Sequence, residues 1–388
     1  LTVVGNSSFE NCVNLKTVII NAKLTAIGAK AFSGCERLSA IDFSSANGLA
    51  DIASDAFEAT EWLTRYPDDS VIVNGIFYKY LGQLEDLHIP NSVKEINEKA
   101  FYGAAVKTLY IPESVRIIGD YAFANSDISK FNFGLRNVSV EIIGEGAFEG
   151  CTSLAFLDLG NMSKLKTIGQ RAFFGAKSLD DGKSEMHVYL PASVTSIGES
   201  AFENSGIKTV RMAAGSKLET IERRTFFGCE LLTSLIFEGK SSLTSVSESA
   251  FENCVALKVF HNAQGNVYSL GERAFFGATA LENFKINEES LTEVGRDCFF
   301  GNKFRDCHFL TVSICFFYEF IARSRSAIIS STFSIPTDIR KKQSVIPNFS
   351  FTSFGVSSCV CVVGYVIRVS VPPRLSANMI MSKFLKIF

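Results

Sequence analysis

The sequence lacks most of the patterns that carry chemistry. Its 388 residues contain four histidines and one tryptophan. It has no C-x-x-C pair, no glycine-rich phosphate loop ending in Lys-Ser/Thr and no G-x-S-x-G turn. Cys359 and Cys361 form a C-x-C pair, but no histidine is paired with them as a further metal ligand. These absences predict a chain with no catalytic residues, no cofactor and no metal site.

Acidic residues are almost absent from one end of the chain. The formal net charge is −2, but residues 1–302 hold 37 acidic and 27 basic residues, whereas residues 303–388 hold 3 and 11. Nucleic-acid binding needs Lys and Arg clustered on one face. The acidic first part therefore argues against nucleic acid as a partner.

What the sequence does have is a repeat. IGAKAFSGC at 27–35 returns as IGEGAFEGC at 143–151. A unit of about two dozen residues cannot bury its own apolar face, whereas stacked units share one core, so the repeat predicts a solenoid of about 12–13 coils. Because Leu1 already lies inside a repeat, we expect a fragment or a processed chain. The anchor phenylalanine, which we expect to stack along the solenoid axis, recurs at Phe9, Phe32, Phe57, Phe101, Phe123, Phe148, Phe173, Phe202, Phe226, Phe251, Phe275 and Phe299.

Each unit begins with the pattern L-x-x-h-x-h, whose alternation predicts a short strand. Parallel stacking would align the variable outward positions of these strands in one long column. His88 and His261 occupy this position about seven units apart, or over roughly 30 Å, which is too far to share a metal ion. Exposed aromatic residues and arginine often anchor protein partners, although surface positions also vary for no functional reason. The predicted partner-binding residues on the strands are Tyr110, Phe156, Tyr189, Arg211, Ile236, His261 and Lys285.

A small residue stands three positions after nearly every anchor phenylalanine. Because Cys, Ala, Ser and Thr alternate there, the position predicts a tight packing site in which cysteine acts as a small apolar residue. A ladder of disulfides, Cys12–Cys35 and Cys229–Cys254, is the alternative, since neighbouring coils approach bonding distance.

One interval between anchors, from Phe57 to Phe101, is nearly double the others. It contains an insertion at about 60–82, where Asn74 and Gly75 separate two apolar runs. This arrangement predicts a β-hairpin with a two-residue turn.

The segments LHIPNSVKEINEKAF (87–101), LYIPESVRIIGDYAF (109–123) and YLPASVTSIGESAF (189–202) closely resemble the repeats of the BspA-like leucine-rich repeat family. The resemblance covers about residues 1–301. It implies a right-handed leucine-rich array with short parallel strands and an irregular or short-helical convex side. It also implies a non-enzymatic secreted or cell-surface protein used for adhesion or protein binding, and it brings no catalytic or cofactor residues. The insertion resembles a hairpin found in bacterial members.

We therefore divide the chain into a leucine-rich solenoid, residues 1–302, and a basic tail without repeats, residues 303–388. For the tail we favour a frameshift or a mistaken gene prediction, and then expect it to pack poorly. A membrane anchor, carried by 308–322 or 353–371, and a small independent domain are the alternatives. Each anchor candidate is interrupted by a charge, Glu319 or Arg368.

The predicted function is binding of protein partners, such as host or other microbial surface proteins, through the exposed strand face. Membrane contact is expected only if the tail is a genuine anchor. A structural spacer or targeting arm, attached to another domain that could be enzymatic, is the first alternative. An intracellular scaffold is the second.

Overall fold

A computed structural model gives the fold of the repeat body. Beyond residue 302 it gives the backbone of three short strands. The structure describes residues 1–132, 138–155, 159–160, 162–177, 187–287 and 290–302, and the strands at 332–334, 357–362 and 365–370.

The repeat body is a parallel β-solenoid with almost no helix among the described residues. These residues contain thirteen second strands, in agreement with the 12–13 coils that the sequence predicted. Each regular coil contributes a first strand to one sheet column and a two-residue second strand to another. The side opposite the first strands is built of these short strands and turns, so of the two predicted forms it is the irregular one.

The first strands form the column that we call the strand column. Their outward side chains alternate with buried ones, as in Thr209–Met212, where Val210 and Met212 are buried. All pairings in the column are parallel and without register shift. Its strands are β2 (Thr17–Ile19), β4 (Ala40–Asp42), β8 (Asp86–His88), β10 (Thr108–Tyr110), β12 (Lys130–Asn132), β15 (His187–Leu190), β17 (Thr209–Met212), β19 (Ser234–Phe237), β21 (Val259–Asn262) and β23 (Asn283–Ile286).

The second strands form the short column. In each strand an apolar residue points inward, and Ile118 pairs in register with Ile96 on one side and Ile143 on the other. The column consists of β1 (Val3–Val4), β3 (Ala26–Ile27), β5 (Asp51–Ile52), β7 (Ile76–Tyr80), β9 (Glu95–Ile96), β11 (Ile117–Ile118), β13 (Ile142–Ile143), β14 (Thr167–Ile168), β16 (Ser196–Ile197), β18 (Thr220–Ile221), β20 (Ser245–Val246), β22 (Ser269–Leu270) and β24 (Glu293–Gly295).

A turn follows each second strand, and the successive turns stack as the turn side of the solenoid. The coils approach so closely here that most corners exclude a side chain. A Cβ atom added to Gly144 would lie 2.7 Å from the Asp120 nitrogen and 2.8 Å from the Gly119 carbonyl carbon. This close approach explains why glycine follows the inward isoleucine in most repeats.

The anchor phenylalanines stack as the repeat predicted. Ring centroids of successive anchors lie 4.9–5.5 Å apart, with nearly parallel planes, from Phe9 to Phe57 and again from Phe101 to Phe299. Between these rings the apolar residues of both columns are almost completely buried. The aromatic stack is therefore the axis of the core.

The small position after the anchor is the packing site that the sequence predicted. The thiols of Cys151, Cys229 and Cys254 are buried and donate to the anchor carbonyl of the preceding coil at 2.9–3.0 Å. Cys12, Cys35 and Cys298 are also free thiols, so the alternative of a disulfide ladder is wrong for the described cysteines. Burial raises the pKa of Cys151 to about 11 and that of Cys229 to about 12.

This arrangement predicts which thiols react. At pH 8 we expect iodoacetamide to modify Cys12, which is exposed, while Cys151, Cys229 and Cys254 stay unmodified, because only an accessible thiolate is a good nucleophile. Peptide mass spectrometry separates the sites, and the same reaction in denaturant serves as the control. Rapid modification of Cys229 in the folded chain would contradict the buried ladder.

The predicted hairpin is present. Strand β6 (Ser70–Val73) pairs antiparallel with β7, and both turn residues have positive φ, 49° at Asn74 and 82° at Gly75. The hairpin is nevertheless also part of the solenoid. Residues Ile76 and Phe77 pair in parallel with β9, so β7 occupies the place of a regular second strand.

The same coil lacks a first strand and has a single helical turn instead. This helix, α1 (Glu61–Thr64), is capped by the Thr60 hydroxyl, which accepts from the Leu63 amide. The Trp62 ring packs edge-on against Phe57 at 5.0 Å and against Tyr66 at 5.4 Å. The strand column is thus interrupted between β4 and β8 by an aromatic cluster.

The hairpin coil also divides the core in two. Phe77 belongs to the core of the following coils and stacks on Phe101 at 4.7 Å, whereas Tyr78 belongs to the core of the preceding coils and contacts Phe57 edge-on at 5.7 Å. Phe77 and Tyr78, neighbours on β7, therefore belong to two different cores. We call this coil the junction.

Within the tail, β25 (Thr332–Ser334) pairs antiparallel with β24, and β26 (Ser357–Val362) pairs antiparallel with β27 (Tyr365–Ser370). The other residues of 303–388 lie outside the described part, so the readings of the tail stay predictions. Among the described residues, no helix has the length and apolar character needed to cross a membrane.

Candidate functional site

The outward side chains of the strand column form the surface that we call the strand face. Over the five strands β15 to β23 the register is direct, and each outward residue lies beside the corresponding residue of the next coil. Five of the residues singled out from the sequence fall in this column, in the order Tyr189, Arg211, Ile236, His261 and Lys285.

The other two residues are not in this group of strands. Tyr110 lies on β10, in register between His88 and Asn132. Its ring stacks on the His88 imidazole with centroids 3.8 Å apart and planes inclined by 5°. Phe156 lies outside the described residues. The strand face therefore has three described groups of outward residues: one at Ile19 and Asp42, one around Tyr110 and one from Tyr189 to Lys285.

One carboxylate links the first two positions of the third group. Glu238, one residue after β19, accepts from the Tyr189 hydroxyl at 3.3 Å and from Arg211 Nη1 at 3.1 Å. Burial, and then the Glu238 charge and hydrogen bond, raise the pKa of Tyr189. The tyrosine is therefore neutral and available as a hydrogen-bond donor at physiological pH.

Sequence reasoning missed the most regular polar feature, which lies on the turn side. Arg171, Arg224 and Arg273 each stand two residues before an anchor phenylalanine. Each binds, through Nε and Nη2, a glutamate of the preceding coil, and each guanidinium lies 3.7–3.8 Å from the ring centre of a second phenylalanine. The sequence did contain a signal: each of these arginines begins an R-x-F-F segment, and the preceding coil contains A-F-E, which ends with the paired glutamate.

The glutamates of this turn-side ladder are largely buried. Burial acts to raise the pKa of Glu203, but bonds from Arg224 and Ser200 outweigh it and hold the pKa below its ordinary value. Glu252, paired with Arg273 and Ser249, behaves in the same way. With both Arg nitrogens satisfied and one guanidinium face against an aromatic ring, this ladder is a structural feature that ties coils together.

Among the described residues, no group of three or more His, Cys, Asp or Glu side chains could hold a metal ion. Buried titratable groups on the turn side are satisfied by their ladder partners. The strand face, with its varied and partly exposed side chains, is the candidate functional surface.

Two columns of short parallel strands, a stacked aromatic axis and repeated tight turns define a leucine-rich repeat solenoid. The BspA type leucine rich repeat region matches the sequence in six copies, over residues 1–67, 70–183, 182–305 and 262–351. The chain belongs to this family. The match is to a family of usually non-enzymatic scaffolds, and no catalytic family is indicated.

Solved structures of leucine-rich repeat proteins are also similar to this chain. A leucine rich repeat protein of T. pallidum is 29% identical, over 47% of this chain and 82% of its own, with a TM-score of 0.40. One from Eubacterium ventriosum is 22% identical, over 80% and 82%, with a TM-score of 0.40. A leucine rich cell surface protein from Faecalibacterium prausnitzii is 24% identical, over 74% and 77%, with a TM-score of 0.35. No curated protein matches the sequence.

Proposed function

We propose that this chain is a non-enzymatic protein-binding module of a secreted or cell-surface protein, and that it binds partners through the strand face. The observation that carries the proposal is the unbroken register from Tyr189 to Lys285. Apart from Asn262, the inward positions of these strands keep apolar residues, whereas the outward position changes from aromatic to cationic to aliphatic. A rigid surface with a different side chain on each rung suits recognition.

The physical basis is preorganisation. Backbone ladders and the aromatic core already fix the strand face, so binding orders little of the chain and costs little conformational entropy. Tyr and Arg are the residue types that most often dominate binding energy when a partner covers them. The surface location and adhesion are proposed from membership of the BspA type family.

A variant set tests the proposal even while the partner is unidentified. The full chain is immobilised and exposed to surface proteins of cells from its own habitat, and the retained proteins are quantified by mass spectrometry. Tyr110→Ala, Tyr189→Ala and Ile236→Ala are combined in one strand-face variant. We expect specific partners to be retained about tenfold less or worse, because hot-spot side chains are lost.

The control variant removes side chains of similar size elsewhere, which are more exposed than the three strand-face residues. Tyr102, Leu231 and Tyr268 are 55%, 45% and 47% exposed and lie outside the strand face. A variant with alanine at these three positions is expected to retain partners like the wild type. Equal retention by all three proteins would reject the strand face and favour the spacer or targeting arm.

A further inference from the structure

The strand face from β15 to β23 presents two basic side chains on an acidic protein. Arg211 and Lys285 point outward there, and His261 lies between them in register. The second outward position of these strands is uncharged, as at Thr209 and Asn283. Among the described residues, no outward position of these strands holds a carboxylate, whereas residues 1–302 have an excess of ten acidic over basic residues.

Arg211 is bound less completely than the arginines of the turn-side ladder. Arg224 uses both Nε, at 3.0 Å, and Nη2 to bind Glu203. Arg211 reaches Glu238 through Nη1, at 3.1 Å, while its Nε is buried and has no hydrogen-bond partner. A buried donor without an acceptor is unfavourable. Arg211 is therefore held through one nitrogen, whereas the ladder arginines are held through two.

Glu238 shows that a carboxylate fits at this place. It bridges Tyr189 and Arg211 from a position just outside the strand, and its side chain remains about a third exposed, at 31%. A partner carboxylate in the place of Glu238 can accept from the Tyr189 hydroxyl and from Arg211 Nη1, as Glu238 does. In the part of the chain that the structure describes, Lys285 has no carboxylate at ion-pair distance.

We propose that this part of the strand face, which we call the basic strip, binds acidic, extended protein segments, with one carboxylate on Tyr189 and Arg211 and another on Lys285. The inference rests on the proposed protein-binding function and names the partner's chemistry. Arg211 and Lys285 are three rungs apart, which is about 14 Å at the usual strand spacing. An extended chain covers about 3.3 Å per residue, so acidic side chains four residues apart match this distance.

The probe for this proposal is a fluorescein-labelled peptide with two glutamates four positions apart in a Gly/Ser background. Binding to the full chain is followed by fluorescence anisotropy at low ionic strength. We expect the wild type to bind this peptide about tenfold more tightly than the glutamine analogue, because charge-assisted contacts are lost in the analogue. The combined variant Arg211→Gln with Lys285→Gln should lose this preference. Added salt should weaken binding by the wild type.

The control variant loses the same charge on the turn side. Arg223 and Arg296 are exposed there and pair with Glu199 and Glu272. Arg223→Gln with Arg296→Gln is expected to bind the peptide like the wild type. As a gain-of-function check, Arg211→Glu with Lys285→Glu should instead bind the corresponding lysine peptide.

Either of two results would overturn the proposal. One is equal loss of affinity in the turn-side control, which would mean that the peptide senses only total charge. The other is no preference of the wild type for the glutamate peptide over its analogue. Neither result bears on the proposed function, because the strand-face variant is tested with protein partners and not with the acidic peptide. That variant removes Tyr189 but leaves Arg211 and Lys285 intact, so the two proposals fail separately.

Discussion

Replacing Phe173 by alanine will lower the free energy of unfolding by about 3–5 kcal/mol, the usual range for removing a fully buried phenylalanine. The Phe173 ring is completely buried and stacks on Phe148 at 5.0 Å and on Phe202 at 5.1 Å. Its neighbours above and below are fixed by their own backbone ladders. The cavity that the alanine leaves therefore cannot close. The loss of stability then lies at the upper end of the range for large-to-small substitutions.

The adjacent residue supplies the matched control. Phe174 is half-buried on the turn side, beneath the Arg171 guanidinium at 3.8 Å. Phe174→Ala removes the same atoms but loses only this cation–π contact and part of the buried area. We therefore expect the free energy of unfolding to fall by about 1 kcal/mol. Urea denaturation followed by far-UV circular dichroism measures both variants. Equal losses at the two positions would mean that the aromatic stack is not the axis of the core.

The aromatic axis could be predicted because the sequence repeats it. A residue that recurs in every unit while its neighbours change must occupy an equivalent and buried place in every coil. The same reasoning put Tyr189, Arg211, Ile236, His261 and Lys285 in one column, since parallel stacking without register shift preserves position in the unit.

Contacts between different positions of neighbouring coils could not be read in this way. The arginine of the turn-side ladder stands two residues before its anchor, whereas its glutamate stands one residue after the preceding anchor. Periodicity says that both are surface positions of a turn, but not that the Arg224 side chain lies over Phe227 and reaches Glu203. That contact depends on how far the coils are apart and on the side-chain rotamer.

The junction shows a second limit. The letters of the hairpin predicted its turn correctly, but they did not show that β7 serves as a second strand. The regular coil ladder is broken here, since no strand pairing joins β5 to β7. Three backbone carbonyls of the preceding coils instead accept hydrogen bonds from side chains. Asn74 donates to Leu49 at 2.6 Å, Asn97 to Ile52 at 2.8 Å and Tyr78 to Ser54 at 3.0 Å.

The clue in the sequence was an exception to the glycine rule. Asn97 stands where most units have glycine after the inward isoleucine, and it is 5% exposed. A polar side chain is kept at a tight corner when a buried backbone group needs it, because an unsatisfied carbonyl is costly. Glycine is also replaced at this position in regular coils, by Glu222 and Ser247, so the signal at Asn97 is a buried amide and not the substitution alone.

Asn97→Ala should uncouple the two cores at the junction. It leaves the Ile52 carbonyl buried without its donor, which we expect to cost about 1–3 kcal/mol. That cost falls on the contact between the core of the coils before the junction, from Val4 to Tyr78, and the rest of the solenoid. We call the first of these the N-terminal core. The N-terminal core should therefore unfold at a lower urea concentration than the remaining coils, as expected when nearest-neighbour coupling in a repeat array is weakened.

The sole tryptophan makes this measurable. Trp62 packs against the N-terminal core, so its fluorescence reports that part alone, whereas circular dichroism reports the whole solenoid. In Asn97→Ala the fluorescence transition should occur at a lower urea concentration than the dichroism transition. Asn266 is an exposed amide in the following coils, and Asn266→Ala should shift neither transition. If both signals shift together, the two cores unfold as one unit, and the three side-chain bonds do not define a boundary. If they separate, the junction is the point at which tension or a protease opens this solenoid first, since local opening begins where the fewest backbone bonds cross.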